Sequence, residues 1–98
     1  MFRALADPTR RQLLDLLRDG QMPVMELAET FRMSLPAVSQ HLKVLKQAGL
    51  VSERRQGRQR FYQLQAGPLE EVMDWVGHYE KFWAARLTRL GEHLRKNP

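Results

Sequence analysis

The residues from Ser34 to Arg60, SLPAVSQHLKVLKQAGLVSERRQGRQR, combine groups that can bond base edges with a cluster of cations suited to phosphates. Ser34 is a good helix N-cap, because its hydroxyl can accept a bond from an orphan amide of the first turn. Pro36 suits that turn, where a missing N–H costs nothing. Leu35, Val38, Leu42 and Leu45 recur at helical spacing as one apolar stripe. Gly49 closes the helix in the left-handed conformation that follows many helix ends. Between the apolar positions lie Ala37, Ser39, Gln40, His41 and Lys43. A helix entering a major groove needs that order: small groups for close approach, then donors and acceptors for bases and phosphates.

A basic hairpin is expected next. Leu50–Arg55 and Gln59–Leu64 carry strand-compatible residues, and Gln56-Gly57-Arg58 supplies a glycine-containing turn. Arg54, Arg55, Arg58 and Arg60 crowd it. Four like charges so close repel one another, but opposite phosphates each releases condensed counterions and gains affinity. An arginine-rich solvated hairpin without a partner is the alternative. Placed after a groove-reading helix, the hairpin reads as a wing. The candidate double-stranded DNA contacts are therefore Ser34, Pro36, Ala37, Ser39, Gln40, His41 and Lys43 on the helix, with the four arginines on the hairpin.

The elements that must hold this surface can be read from caps and periodicity. Asp7-Pro8-Thr9 starts a helix, with Leu13, Leu14, Leu16 and Leu17 on its buried side and Gly20 at its end. Arg10 and Arg11 point to solvent or toward phosphate. Phe2 and Leu5 fit a short preceding helix. Pro23 leads into a helix over Val24–Phe31, and Arg32-Met33 turns into the Ser34 helix, which together make a helix-turn-helix. A last helix is expected over about residues 68–95, opened by Glu70 and Glu71 at its positive end. It would extend about 40 Å, more than so small a domain can cover. Its first turns cover the core, and the later ones meet a second copy of the chain. Leu5, Val72, Trp75, Val76, Tyr79, Phe82, Trp83, Leu87 and Leu90 form the expected homodimer interface. Gly77 and Gly91 either permit close helix crossing or mark a bend.

Composition agrees. A chain of 98 residues is expected to form one domain, mainly α with a small β-hairpin. The net charge of +5 favours a polyanionic partner, and an anionic membrane surface would answer to the same charge. No cysteine is present, which excludes disulfides and thiolate metal sites. No apolar run approaches the roughly 20 residues that span a bilayer, so no membrane partner is expected. The first residues lack the apolar core of a signal peptide, and the cytoplasm is the expected compartment.

These residues resemble the arsenic-repressor (ArsR) family of small dimeric bacterial winged-helix regulators. The resemblance rests on ALADPTRRQLLDLL at 4–17, MELAETFRMS at 25–34, PAVSQHLKVLKQAGLV at 36–51, and Gly57-Arg58 with Tyr62. The tail, with Trp75, Tyr79, Glu80, Phe82, Trp83, Arg86, Leu87 and Leu90, resembles a subgroup without obvious metal ligands. The resemblance implies a repressor that binds an inverted-repeat operator, frequently in its own promoter. It also implies that Ser34, Pro36, Ala37, Ser39, Gln40 and His41 lie on the recognition helix and Arg58 at the wing tip. Two positions depart from the pattern. Leu35 stands where relatives often carry Arg or Gln, so it either contacts a thymine methyl or packs inward. Arg32 stands where many relatives have Gly, implying an ordinary backbone or mild strain.

Other chemistries have less support. Asp74 and His78 are four apart and could share a metal, with His93 further on, but no second pair completes a set. A surface ion pair suits Asp74 and His78 better. A metal-responsive repressor with Asp/His ligands, and a dimeric interaction module without specific DNA binding, remain alternatives of the same fold. No phosphate-cradling glycine loop or nucleophile–base constellation is evident, so neither an enzyme nor a cofactor is expected. Trp75, Tyr79 and Trp83 could line an effector pocket, although core or interface packing suits them better.

Overall fold

The computed structural model describes residues 1–96, and of 87 and 90–96 the helical backbone alone. Nine elements follow in order: α1 (Phe2–Leu5), α2 (Pro8–Leu17), β1 (Met22–Pro23), α3 (Val24–Phe31), α4 (Leu35–Gln47), β2 (Val51–Gln56), β3 (Gln59–Leu64), α5 (Leu69–Gly77) and α6 (Glu80–Lys96). Helices α3 and α4 are the helix-turn-helix, and β2–β3 is the wing.

Local signals set the helix ends. Asp7 caps α2, its Oδ2 accepting the Arg10 N–H at 3.0 Å, with Pro8 in the first turn. Ser34 Oγ accepts the Ala37 N–H at 3.2 Å at the start of α4. At the other end, Gly49 has φ 77°, Leu50 N–H donates to Leu45 O and Gly49 N–H to Lys46 O. That is a Schellman closure, and it turns the chain into β2. The same closure ends α3, where Met33 N–H donates to Ala28 O and Arg32 N–H to Glu29 O. There the left-handed residue is Arg32, at φ 53° and ψ 37°. Of the two conformations open to it, Arg32 adopts the strained one.

The core lies where α2, α3, α4 and the sheet meet. Leu13, Leu17, Leu27, Val38, Leu42, Leu45 and Leu50 are all within 2% of complete burial. Leu35 departs from the expected stripe. It remains 41% exposed, in an open groove with Pro23, Val24 and Met25.

The structure adds to one expectation about the architecture and corrects another. The hairpin is part of a three-stranded antiparallel sheet, ordered β1-β3-β2, with Met22 opposite Tyr62 and Pro23 opposite Phe61. Strand β1 has only two residues, one a proline that cannot donate, so it carries no alternating pattern and suits only an edge. The long terminal helix over 68–95 is two helices, α5 and α6, separated at His78 and Tyr79. There the amides bond three residues back, His78 to Trp75 O and Tyr79 to Val76 O, directly after Gly77. Glycine is the residue whose helical state costs most in backbone entropy apart from proline. Gly77 is the last residue of α5, directly before this break.

Arg32→Gly should raise stability by about 0.5–1 kcal/mol, because glycine adopts the left-handed region without a Cβ clash. Arg32→Ala should bring no such gain. Urea unfolding midpoints of the three chains check this, and equal midpoints for Gly and Ala would contradict it.

Candidate nucleic-acid interface

Helix α4 buries Val38, Leu42 and Leu45 completely, so the opposite side of the helix must face outward. Gln40 and Lys43 are exposed there, while Ala37 and Ser39 are half-buried beside them. Ser34 and Pro36 are exposed at the N-terminal end. Pro36, Ser39, Gln40, Lys43 and Lys46 of α4 share a shallow groove of about 300 Å³ with Glu53, Arg60 and Tyr62 of the wing. A second groove of about 310 Å³ runs from Leu35 and Ser39 to Arg55, Arg58, Gln59 and Arg60. Both grooves join the recognition-helix candidates to the wing arginines.

The wing itself is a tight hairpin in which Gln56 pairs with Gln59 across Gly57 and Arg58. Gly57, at φ 62°, supplies the positive φ that the first residue of a II′ loop requires. Arg54, Arg55, Arg58 and Arg60 are all exposed. Arg54 reaches Gln56 Oε1 at 3.5 Å, whereas Arg55 and Arg58 have no side-chain partner among the described residues.

Arg60 is the wing arginine that pairs with a carboxylate among the described residues. Its Nε lies 3.8 Å from Glu53 Oε1, and Lys46 Nζ donates to Glu53 Oε2 at 3.2 Å. The Tyr62 hydroxyl donates to the same oxygen at 3.4 Å. Glu53 therefore pins the wing to the last turn of α4. The Lys46 hydrogen bond, chiefly, holds its carboxyl below the ordinary range, with Arg60 assisting. Burial, chiefly, pushes the Tyr62 hydroxyl above its ordinary value. Glu53 escaped the sequence reading because a lone acid among arginines has no periodic signature. The i-to-j register that sets it opposite Tyr62 was the available signal.

His41 stands apart from the other candidates. Its ring is half-buried and faces α2, with Nδ1 3.4 Å from Arg10 Nη1 and 3.8 Å from Asp7 Oδ2. Arg10 points neither to solvent nor to an outer phosphate face. Its guanidinium donates to Ala4 O at 2.8 Å and Arg3 O at 3.0 Å, tying α1 to α2. The Arg10 backbone N–H is the main cause that keeps the Asp7 carboxyl below its ordinary range.

The interface candidates form a separate surface. Trp75, Val76, Tyr79, Phe82 and Trp83 are 47–54% exposed and line an open apolar groove of about 420 Å³. Val72 and Leu5 are half-buried, and the side chains of Leu87 and Leu90 lie outside the described residues. Phe2 of α1 meets Trp75 edge-on at 5.7 Å, and Trp75 meets Tyr79 at 5.5 Å. Asp74 and His78 do not form the expected ion pair, since His78 falls in the break after α5. No cluster of three or more metal-ligating side chains occurs among the described residues; the His93 side chain lies outside them. None of the described helices is long and apolar enough to cross a membrane.

Comparison with known proteins agrees with this geometry. The family profile described as "Bacterial regulatory protein, arsR family" matches residues 7–53, from the cap of α2 into β2. The transcriptional repressor SdpR of Bacillus subtilis is 42% identical over 76 residues, covering 78% of this chain and 84% of SdpR. The HTH-type transcriptional regulator Rv2034 of Mycobacterium tuberculosis is 45% identical over 87 residues, 89% of this chain and 78% of its own. The crystal structure of an ArsR family transcriptional regulator superposes with a TM-score of 0.75 at 37% identity, over 85% of this chain and 86% of the other.

Glu53→Gln should lower stability by at most about 1 kcal/mol near neutral pH, since the pair is partly solvated. The lowered carboxyl of Glu53 stabilises the fold above the ordinary glutamate value of 4.5 and ceases to as pH falls through the folded value. The difference between the two chains should therefore shrink toward zero in acid. Urea midpoints at about pH 7 and about pH 3 read this out; a constant difference would contradict the Lys46–Glu53–Arg60 assignment.

Proposed function

Since the chain belongs to the ArsR family of bacterial regulatory proteins, we propose that it is a homodimeric transcriptional repressor acting on an inverted-repeat operator. One observation carries the reading: the exposed side of α4, with Gln40 and Lys43, is continuous with the exposed arginines of a wing fastened to the same helix. Gln40 can bond a base edge bidentately, and Lys43 with Arg54, Arg55 and Arg58 can neutralise phosphates. Helix α4 enters a major groove, and the wing grips the flanking backbone or minor groove.

Two copies are needed because a palindromic site presents the same edges twice, on one side of the duplex. The apolar strip over Phe2, Trp75, Tyr79, Phe82 and Trp83 supports that pairing, since a monomer gains nothing from leaving it in water. Half-sites are spaced by one or two helical turns, each about 34 Å. Repression follows from occupying a promoter, including the chain's own, and excluding polymerase. Its site of action is wherever the DNA is, in the cytoplasm of a bacterial cell.

Arg58→Ala should weaken binding to every duplex and reduce the slope of log affinity against log salt by about one. Gln40→Ala should instead relax sequence preference, by about 1–3 kcal/mol at one base pair per half-site. Gel shifts with the chain's own upstream DNA across a salt series, with and without chelator, measure both. An unchanged salt slope for Arg58→Ala would refute the wing's role. Release of DNA by zinc, abolished by Asp74→Ala, would favour a metal-responsive repressor instead.

A further inference from the structure

Among the polar and cationic groups of the proposed DNA-facing surface sits an apolar patch that the hydrogen-bonding reading leaves unused. Leu35, the first residue of α4, is 41% exposed, and Met25 on α3 is 57% exposed beside it. Both line the groove that ends at Ser39 on one side and at Arg55, Arg58 and Arg60 on the other. Leu35 and Ser39 are one helical turn apart and share a row, next to the row that carries Pro36, Gln40 and Lys43. The buried residues of α4 have no exposure at all, so Leu35 is not a core residue at the helix end.

We propose that Leu35, backed by Met25, is a specificity-determining residue that packs on the C5-methyl of a thymine in the major groove. This inference rests on the repressor reading and deepens it by naming a base that each half-site must contain. Residues at the N-terminal end of a recognition helix approach base edges most closely. An aliphatic side chain there offers no hydrogen bond, and thymine is the one base whose major-groove edge presents a methyl group. The arginine rim fits the phosphates on either side of such a base, so charge complementarity selects a nucleic acid over an apolar protein segment. The pairing removes two apolar surfaces from water at once, which an exposed Leu beside phosphates otherwise lacks.

The test uses a duplex selected from a random-sequence pool by the full chain, with each thymine replaced singly by deoxyuridine. That exchange deletes the methyl and keeps every Watson–Crick and major-groove hydrogen-bonding group. One position in each half-site should then bind the wild-type chain about fourfold more weakly, the fold-change of one buried methyl. Leu35→Ala should bind the thymine and deoxyuridine duplexes alike, near the wild-type affinity for the latter. Leu35→Met, which keeps an aliphatic surface, should retain the dependence. Circular dichroism should find all three chains equally helical, because Leu35 lies outside the core. Thymine methyls that are all silent toward a chain that does select its duplex would overturn this inference alone. So would a methyl dependence that survives in Leu35→Ala. A chain that selects no duplex would overturn the repressor reading and this inference with it.

Discussion

Val38, Leu42 and Leu45, wholly removed from solvent, orient everything else of consequence in this chain. They lock α4 against α2, α3 and β2, and the helical period then dictates which residues face out. Gln40 and Lys43 are exposed because they lie on the side of the helix away from those three buried residues. Rotating α4 by one residue, so that positions 39, 43 and 46 faced inward, would bury two lysines and displace Val38, Leu42 and Leu45 from the core, a cost of at least several kcal/mol. The proposed reading face is thus a by-product of core packing.

Two polar clusters fix what apolar packing leaves loose. Asp7, Arg10 and His41 join the start of α2 to the middle of α4, and Arg10 extends the tie to the carbonyls that end α1. Lys46, Glu53, Arg60 and Tyr62 join the end of α4 to the wing. Neither cluster is worth much as stability, because each is partly solvated. Their value is directional. One acid among the wing's cations compensates Lys46 and Arg60 and leaves Arg55 and Arg58 at the tip for an external anion. Helix α1 also presents Phe2 to Trp75, so the same short helix touches both the dimer-surface candidate and, through Arg10, the reading helix.

Much of this was legible in residue order because it is locally encoded. Ser34, Asp7 and Gly49 specify their caps through bonds to residues at most a few positions away, and the hairpin follows from Gly57 between two strand-forming runs. The family resemblance followed from the same stretches. What escaped depends on parts distant in sequence. Strand β1 exists only because β3 lies beside it, and two residues cannot announce a strand. His41 shares its helix with Gln40, yet a turn of about 100° sends its ring to Asp7 instead of outward. Leu35 matched the apolar spacing but lies at the first position of α4, in an open groove that leaves it 41% exposed. The apolar spacing of residues 69–94 runs through Gly77 without interruption, so periodicity alone could not reveal the break at His78 and Tyr79.

The central claim is that the outward side of α4 lies in successive major grooves on one side of a duplex, with the wings beside it. Methylation interference on a duplex selected by the full chain tests it most directly, since guanine N7 lies in the major groove and adenine N3 in the minor. The account predicts two clusters of guanine N7 interference on one side of the helix, separated by about one or two turns, with weaker adenine N3 effects at their flanks. Interference confined to adenine N3, or a single cluster bound by one copy of the chain, would contradict it.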